Sequence, residues 1–239
     1  MPIVIPRIIH QIWLGPLNPP LDALSTWKIN HPDWEYHLWT EKNLPALVNQ
    51  KAFDDSDSYP QKADILRYEL LQQFGGVYID ADVFCVRPID SLFAQLSKQS
   101  SELVAAYEGR EDDEALIANT VMMSGLNNPF IGELVANIDV SQKGKAWEIT
   151  GPQYLTDSIR KYNPSISLLP SKTFFPVHHK DKEHRVVSLS ECKEDPEIFG
   201  IHMWSGTKRG YCPSWYRNPI AFIIYQVRKG LHKTFQIKE

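Results

Sequence analysis

Two aspartates, Asp80 and Asp82, follow the apolar run Val77-Tyr78-Ile79, which itself comes straight after Gly75-Gly76. In an extended chain residues two apart project to the same side, so the spacing predicts converging carboxylates with the small Ala81 turned away. Oxygen ligands of this kind suit Mg²⁺ or Mn²⁺, and an ion held by them is well placed over a phosphate. Two aspartates in a solvated turn are the plainer alternative. The glycine stop and apolar strand before them favour a ligand site, because they put the pair at the C-terminal edge of a strand, where α/β sheets bind ligands.

The segment before this strand has helical spacing over 62–73, with Leu66 and Leu70 on one stripe, Phe74 continuing it and Gly75-Gly76 ending it. On that helix Asp64 and Arg67 are three apart and share a face. They form either a surface ion pair, contributing about 0–1 kcal/mol, or two groups reaching over the sheet edge to sugar hydroxyls. Further along, His202 ends an apolar run two residues before Trp204. The next residues, Ser205-Gly206-Thr207-Lys208-Arg209-Gly210, bring hydroxyls, flexible backbone and cations suited to a diphosphate. A lone histidine is more often structural than a ligand. The acidic stretch Glu108-Gly109-Arg110-Glu111-Asp112-Asp113-Glu114 reads as a solvated loop rather than a second metal site. His178, His179 and His184 read as solvent-exposed.

The elements that must position these groups alternate between strand and helix. Residues 8–13 read as a buried strand ending at Leu14-Gly15-Pro16, 21–30 as a helix and 34–39 as an aromatic strand, which together suggest a βαβ unit. Strands are expected over 77–80, 83–86, 103–107, 120–123 and 167–169, and helices over 90–96, 129–138 and 154–162. The stretch 174–197 is polar and gives no clear assignment. No repeat is evident.

Composition bounds the rest. The 239 residues are 43% hydrophobic, enough for one large core, and no linker divides them, so a single domain over 1–239 is expected. A net charge of −4 argues against a nucleic-acid partner. Cys85, Cys192 and Cys212 are odd in number and lack CxxC spacing, which fits a reducing, cytoplasmic setting. No stretch approaches the length of a membrane span. Residues 213–239 combine the apolar run 220–225 with Arg217, Arg228, Lys229, His232 and Lys233, and read as a basic, apolar helical segment. It either docks on the core or makes a peripheral contact with anionic membrane at its inner face.

Lys62-Ala63-Asp64-Ile65-Leu66-Arg67-Tyr68, followed by Gly75-Gly76-Val77-Tyr78-Ile79-Asp80-Ala81-Asp82, resembles the DXD-region signature of glycosyltransferase family 32. Ile9-His10-Gln11-Ile12-Trp13-Leu14-Gly15 resembles that family's N-terminal signature, and a fainter likeness returns at Gly200-Ile201-His202-Met203-Trp204-Ser205-Gly206. The core is also similar to the glucosyltransferase domain of large clostridial toxins. The resemblance implies an α/β protein of GT-A type, with a central mixed sheet flanked by helices, that retains anomeric configuration. It implies Asp82 and Asp80 as ligands of Mn²⁺ or Mg²⁺, with His202 completing the set and Asp80 also touching the nucleotide ribose. Asp64 and Arg67 would hold the donor sugar, Tyr78 would stand near the nucleotide, and Asn119 would lie near the sugar. Ser205 and Lys208 would close on the donor, and Trp204 would pack at the reaction centre. Trp13 would stack on the base; without the resemblance it reads as a core tryptophan.

These readings converge on a metal-dependent retaining glycosyltransferase. It would move a hexose from a UDP- or GDP-sugar to a saccharide or lipid-linked acceptor in surface polysaccharide or glycan synthesis. A haloacid-dehalogenase-like phosphatase is the competing enzyme, but its DxDxT pattern is broken by Phe84. A non-catalytic nucleotide-sugar-binding protein is the other alternative, disfavoured by the presence of both aspartates and the Asp64/Arg67 pair.

Overall fold

The computed structural model describes residues 4–96, 101–109, 115–177 and 189–204. The expectations for Ser205, Lys208, residues 110–114, His178, His179, His184 and the segment 213–239 therefore lie outside the described residues. In chain order the strands are β1 Ile8–Ile12, β2 Glu35–Trp39, β3 Gly76–Ile79, β4 Val83–Cys85, β5 Leu103–Tyr107, β6 Ile117–Ser124, β7 Ile166–Leu169 and β8 Gly200–His202. The helices are α1 Leu21–Asn30, α2 Gln50–Asp54, α3 Tyr59–Phe74, α4 Asp90–Leu96, α5 Pro129–Asn137, α6 Ala146–Ile149, α7 Pro152–Tyr162 and α8 Leu189–Glu194, with a 3₁₀ turn at Ser171–Thr173.

Six strands form a mixed sheet in the order β2-β1-β3-β6-β5-β7. β1 is parallel to both β2 and β3, β6 is antiparallel to both β3 and β5, and β7 returns parallel to β5. β1, α1 and β2 make the expected βαβ unit. Two large apolar clusters build the core: one gathers Trp27, Val77, Ile79, Val121 and Phe174, the other Leu66, Leu70, Tyr78, Met122 and Leu134. Val77 and Ile79 thus fall in one cluster and Tyr78 in the other, as the alternation of a strand demands.

α3 delivers the chain to the site, and its ends are chemically marked. The Ser58 hydroxyl accepts from the Gln61 amide, Pro60 occupies the first turn, and the Gly75 amide closes onto the Leu71 carbonyl with Gly75 at φ +64°. Gly76 follows at φ +93°, where a Cβ would lie 2.6 Å from the Ile8 carbonyl oxygen. Two left-handed residues in succession turn the helix at once into a strand flush against β1.

α3 differs from the amphipathic helix expected. Residues 64–71 are buried on every side, because α5 and α6 cover it as well as the sheet. Even Glu69 is enclosed, its carboxylate accepting from the amides of Val48 and Asn49. β6 begins at Ile117, three residues earlier than expected, and so carries Asn119 within the sheet.

Candidate active site

β3 ends at Ile79, and Asp80-Ala81-Asp82-Val83 is a turn in which the Val83 amide donates to the Asp80 carbonyl at 3.2 Å. The two carboxylates therefore converge through a turn, not through the alternation of an extended strand. Gln11 of β1 donates its Nε2 to the same carbonyl at 3.2 Å, while its Oε1 accepts from the Tyr36 hydroxyl at 2.9 Å. β4 then pairs with β8, setting Val83 opposite His202. The Met203 amide donates to the Asp82 carbonyl at 3.1 Å, which fastens the end of β8 to the turn.

His202 Nε2 consequently lies 3.1 Å from Asp82 Oδ1 and 4.0 Å from Asp80 Oδ2. One ligand atom from each of Asp80, Asp82 and His202 falls within 4.8 Å of the others. Their side chains are 21%, 13% and 10% exposed, open enough for entry yet sheltered enough for charge to act strongly. Burial alone would lower the His202 pKa, but the Asp82 carboxylate, with Asp80 and Glu108 adding to it, more than offsets this and raises it. His202 Nδ1 is buried and has no hydrogen-bond partner among the described residues. The ring is gripped by packing: Trp204 lies 4.3 Å away between centroids and Phe175 meets it edge-on at 5.5 Å.

Two carboxylate oxygens and an imidazole nitrogen form a donor set that fits Mn²⁺ or Mg²⁺. Asp80 is prepared for such a role. Its Oδ1 accepts the Tyr78 hydroxyl at 2.6 Å and faces Arg67 Nη1 at 3.1 Å, which turns Oδ2 toward His202. Arg67 stacks over the Tyr78 ring at 4.5 Å and gives Nη1 also to the Asn119 carbonyl at 2.7 Å. Burial disfavours the charged guanidinium, yet Asp80 and Asp64 hold it above its ordinary range.

The Asp64/Arg67 pair is thus no surface ion pair. Arg67 Nη2 meets Asp64 Oδ1 at 2.9 Å, both side chains are buried, and Arg67 spans from Asp64 to Asp80. Asp64 Oδ1 also accepts from Asn119 Nδ2 at 2.8 Å, and Oδ2 accepts from the Thr150 hydroxyl at 2.8 Å. Burial raises the Asp64 pKa, and Arg67, Thr150 and Asn119 pull it back. Tyr68 joins this network, donating to the Thr150 carbonyl at 3.0 Å and accepting from Asn119 at 3.3 Å.

The structure thus brings together Asp64, Arg67, Tyr78, Asp80, Asp82, Asn119 and His202. Tyr78 is enclosed between sheet and helix, and its hydroxyl reaches Asp80. Trp204 is buried at φ +55° with its indole N–H on the Val177 carbonyl at 2.9 Å. Trp13 is half-buried and does not join the core. Its loop is shaped by the indole N–H on the Leu17 carbonyl at 2.6 Å, by Tyr59 against Gly15, and by Glu41 accepting the Gly15 amide at 2.5 Å. His10, beside it in the same motif, is structural: it bridges Trp39 and the Gly75 carbonyl.

Gln11, Tyr68 and Thr150 were not singled out from the sequence. Gln11 and Tyr68 do stand inside the two motif runs, which was a usable signal, whereas Thr150 is marked only by Gly151-Pro152 after it, a pair that reads as shaping an acceptor-side loop.

Among solved structures the fold is similar to a glycosyltransferase involved in glycosylation of the major capsid of PBCV-1. The TM-score is 0.51 at 11% identity, over 84% of this chain and 94% of that one. The mixed sheet with a DXD turn at its edge is the GT-A fold. Residues 21–99 match the glycosyltransferase sugar-binding region containing the DXD motif. It is similar to inositol phosphoceramide mannosyltransferase 3 of Schizosaccharomyces pombe, 32% identical over 142 residues, 56% of this chain and 37% of that protein. It is also similar to a mannosyl phosphorylinositol ceramide synthase of Saccharomyces cerevisiae, 29% identical over 257 residues, 88% of this chain and 62% of the relative. The chain spans less than two thirds of the length of either relative.

Proposed function

We propose that this chain is a metal-dependent, retaining hexosyltransferase that takes its sugar from a nucleotide-diphosphate donor. The observation that carries the reading is the Asp80–Asp82–His202 cluster at the end of β3, with the Arg67–Asp64 pair behind it. A divalent ion held there would neutralise charge on the diphosphate leaving group as the glycosidic bond breaks. The chain's own residues fix the geometry: Tyr78 and Arg67 orient Asp80, the β4–β8 ladder places His202, and Trp13 offers a half-exposed face to the base. Asp64, Arg67 and Asn119 border the sugar. In this reading the acceptor hydroxyl passes its proton to the departing phosphate, so no strong base is required of the protein.

The names of the relatives support mannose as the hexose and a lipid-linked acceptor, with a saccharide acceptor as the other option. Among the described residues Cys85 and Cys192 are free thiols. Among the described residues no helix is long and apolar enough to cross a membrane.

The test is hydrolysis of GDP-mannose, UDP-glucose and UDP-galactose by the purified chain with water as acceptor. One of them should be turned over, EDTA should stop the reaction and Mn²⁺ should restore it. Asp82→Asn, which removes charge but little volume, should abolish turnover with the melting temperature near that of the wild type. Full turnover in that variant, or indifference to EDTA, would overturn the metal assignment.

A further inference from the structure

We infer that Thr150, at the junction of α6 and α7, is a positioning residue that sets which sugar Asp64 accepts. The inference rests on the nucleotide-sugar reading above. A carboxylate offers about four acceptor positions, two on each oxygen. Asn119 and Arg67 fill both positions on Asp64 Oδ1. Thr150 fills one on Oδ2, so a single position is left for a ligand hydroxyl, and its direction is set by where Thr150 stands.

Thr150 is held in turn. Its amide donates to the Ala146 carbonyl at 2.9 Å, its carbonyl accepts from Tyr68, and Gly151 packs so closely that a Cβ there would meet Trp147 Cα at 2.7 Å. The Thr150 hydroxyl has one proton and two acceptors in range, Asp64 Oδ2 at 2.8 Å and Ala146 O at 3.0 Å, and the charged acceptor takes it. Asp64 keeps 9% of its side chain open while Thr150 is fully enclosed. A ligand therefore meets Asp64 and feels Thr150 only through it. The arrangement also joins the α6–α7 junction, far along the chain, to the same buried network as Asp80.

The variant Thr150→Val keeps the shape and removes the hydroxyl, and Thr150→Ser keeps the hydroxyl. KM and kcat for hydrolysis of the nucleotide sugar that the wild type turns over are measured for each. Binding of the matching nucleoside diphosphate, which lacks the sugar, is measured alongside. Losing a hydrogen bond to a charged acceptor predicts a KM about tenfold or more higher in Thr150→Val. Nucleoside diphosphate affinity should be unchanged, Thr150→Ser should stay near wild type, and preference among GDP-mannose, UDP-glucose and UDP-galactose should narrow. Thr150→Ala, with no branched methyls to misfit, must show the same split and serves if the valine variant does not fold. An unchanged KM in both hydroxyl-free variants, or equal weakening of sugar-free nucleotide, would overturn the inference. Absence of any nucleotide-sugar turnover by the wild type would instead defeat the functional reading beneath it.

Discussion

Replacing Tyr78 by phenylalanine deletes one oxygen and tests how Asp80 is aimed. The ring stays packed between sheet and α3 and still lies under the Arg67 guanidinium at 4.5 Å, so neither core volume nor the stack is lost. What disappears is the 2.6 Å bond to Asp80 Oδ1. A hydrogen bond to a charged group contributes about 1.5–3 kcal/mol net. Arg67 remains on the same oxygen at 3.1 Å, so the low end applies and Asp80 is loosened rather than released. That corresponds to about a tenfold loss in affinity for Mn²⁺, in line with the effect of removing groups that orient metal ligands. Calorimetric titration of Mn²⁺ into wild type and Tyr78→Phe reads the effect directly, and thermal melting checks the fold. Equal Mn²⁺ affinity in two well-folded proteins would refute the orienting role of Tyr78.

Two further outcomes follow from the first strand and the glycine stop. Burial, the largest influence, lowers His10 from 6.5 to about 4, so the unfolded chain binds the extra proton between those values. Stability from neutral His10 is complete above about pH 6.5 and is lost as pH falls toward 4, about 3 kcal/mol in all; a His10→Gln variant should show a flatter decline in urea unfolding over that range, and an identical slope would rule this out. Gly76→Ala must place a Cβ 2.6 Å from the Ile8 carbonyl at φ +93°, a backbone strain of about 1–3 kcal/mol before the clash is counted. Its melting temperature should fall by at least about 4 °C, and an unaltered melt would show that β1 and β3 can part at that point.

What local chemistry announces, the sequence carried well. The alternation of 8–13, the glycine pair at 75–76 and the periodicity of 21–30 each depend on neighbouring residues alone, and β1, the end of α3 and α1 stand where expected. The Asp64/Arg67 face was ambiguous because helical spacing says which residues share a side, not what covers it. Asn119 from β6, expected near the sugar from family likeness alone, and Thr150 from the α6–α7 junction supply that cover from distant parts of the chain. The Asp80–Asp82 convergence was anticipated for the wrong reason, since a three-residue strand after a tight turn cannot be told from a continued extended run. Tyr78 was placed near the nucleotide by family likeness, whereas strand alternation already required it to face away from Val77 and Ile79.

β4 and β8 are each only three residues long, yet they join segments separated by β5, β6 and β7. An ion shared by Asp80, Asp82 and His202 would be a clasp on a very long loop of chain, holding against the entropy which that loop regains on opening. Chelation should then be felt beyond chemistry: residues 189–204, which reach β4 through the three-residue β8, would become the first described part of the molecule that a protease can cut.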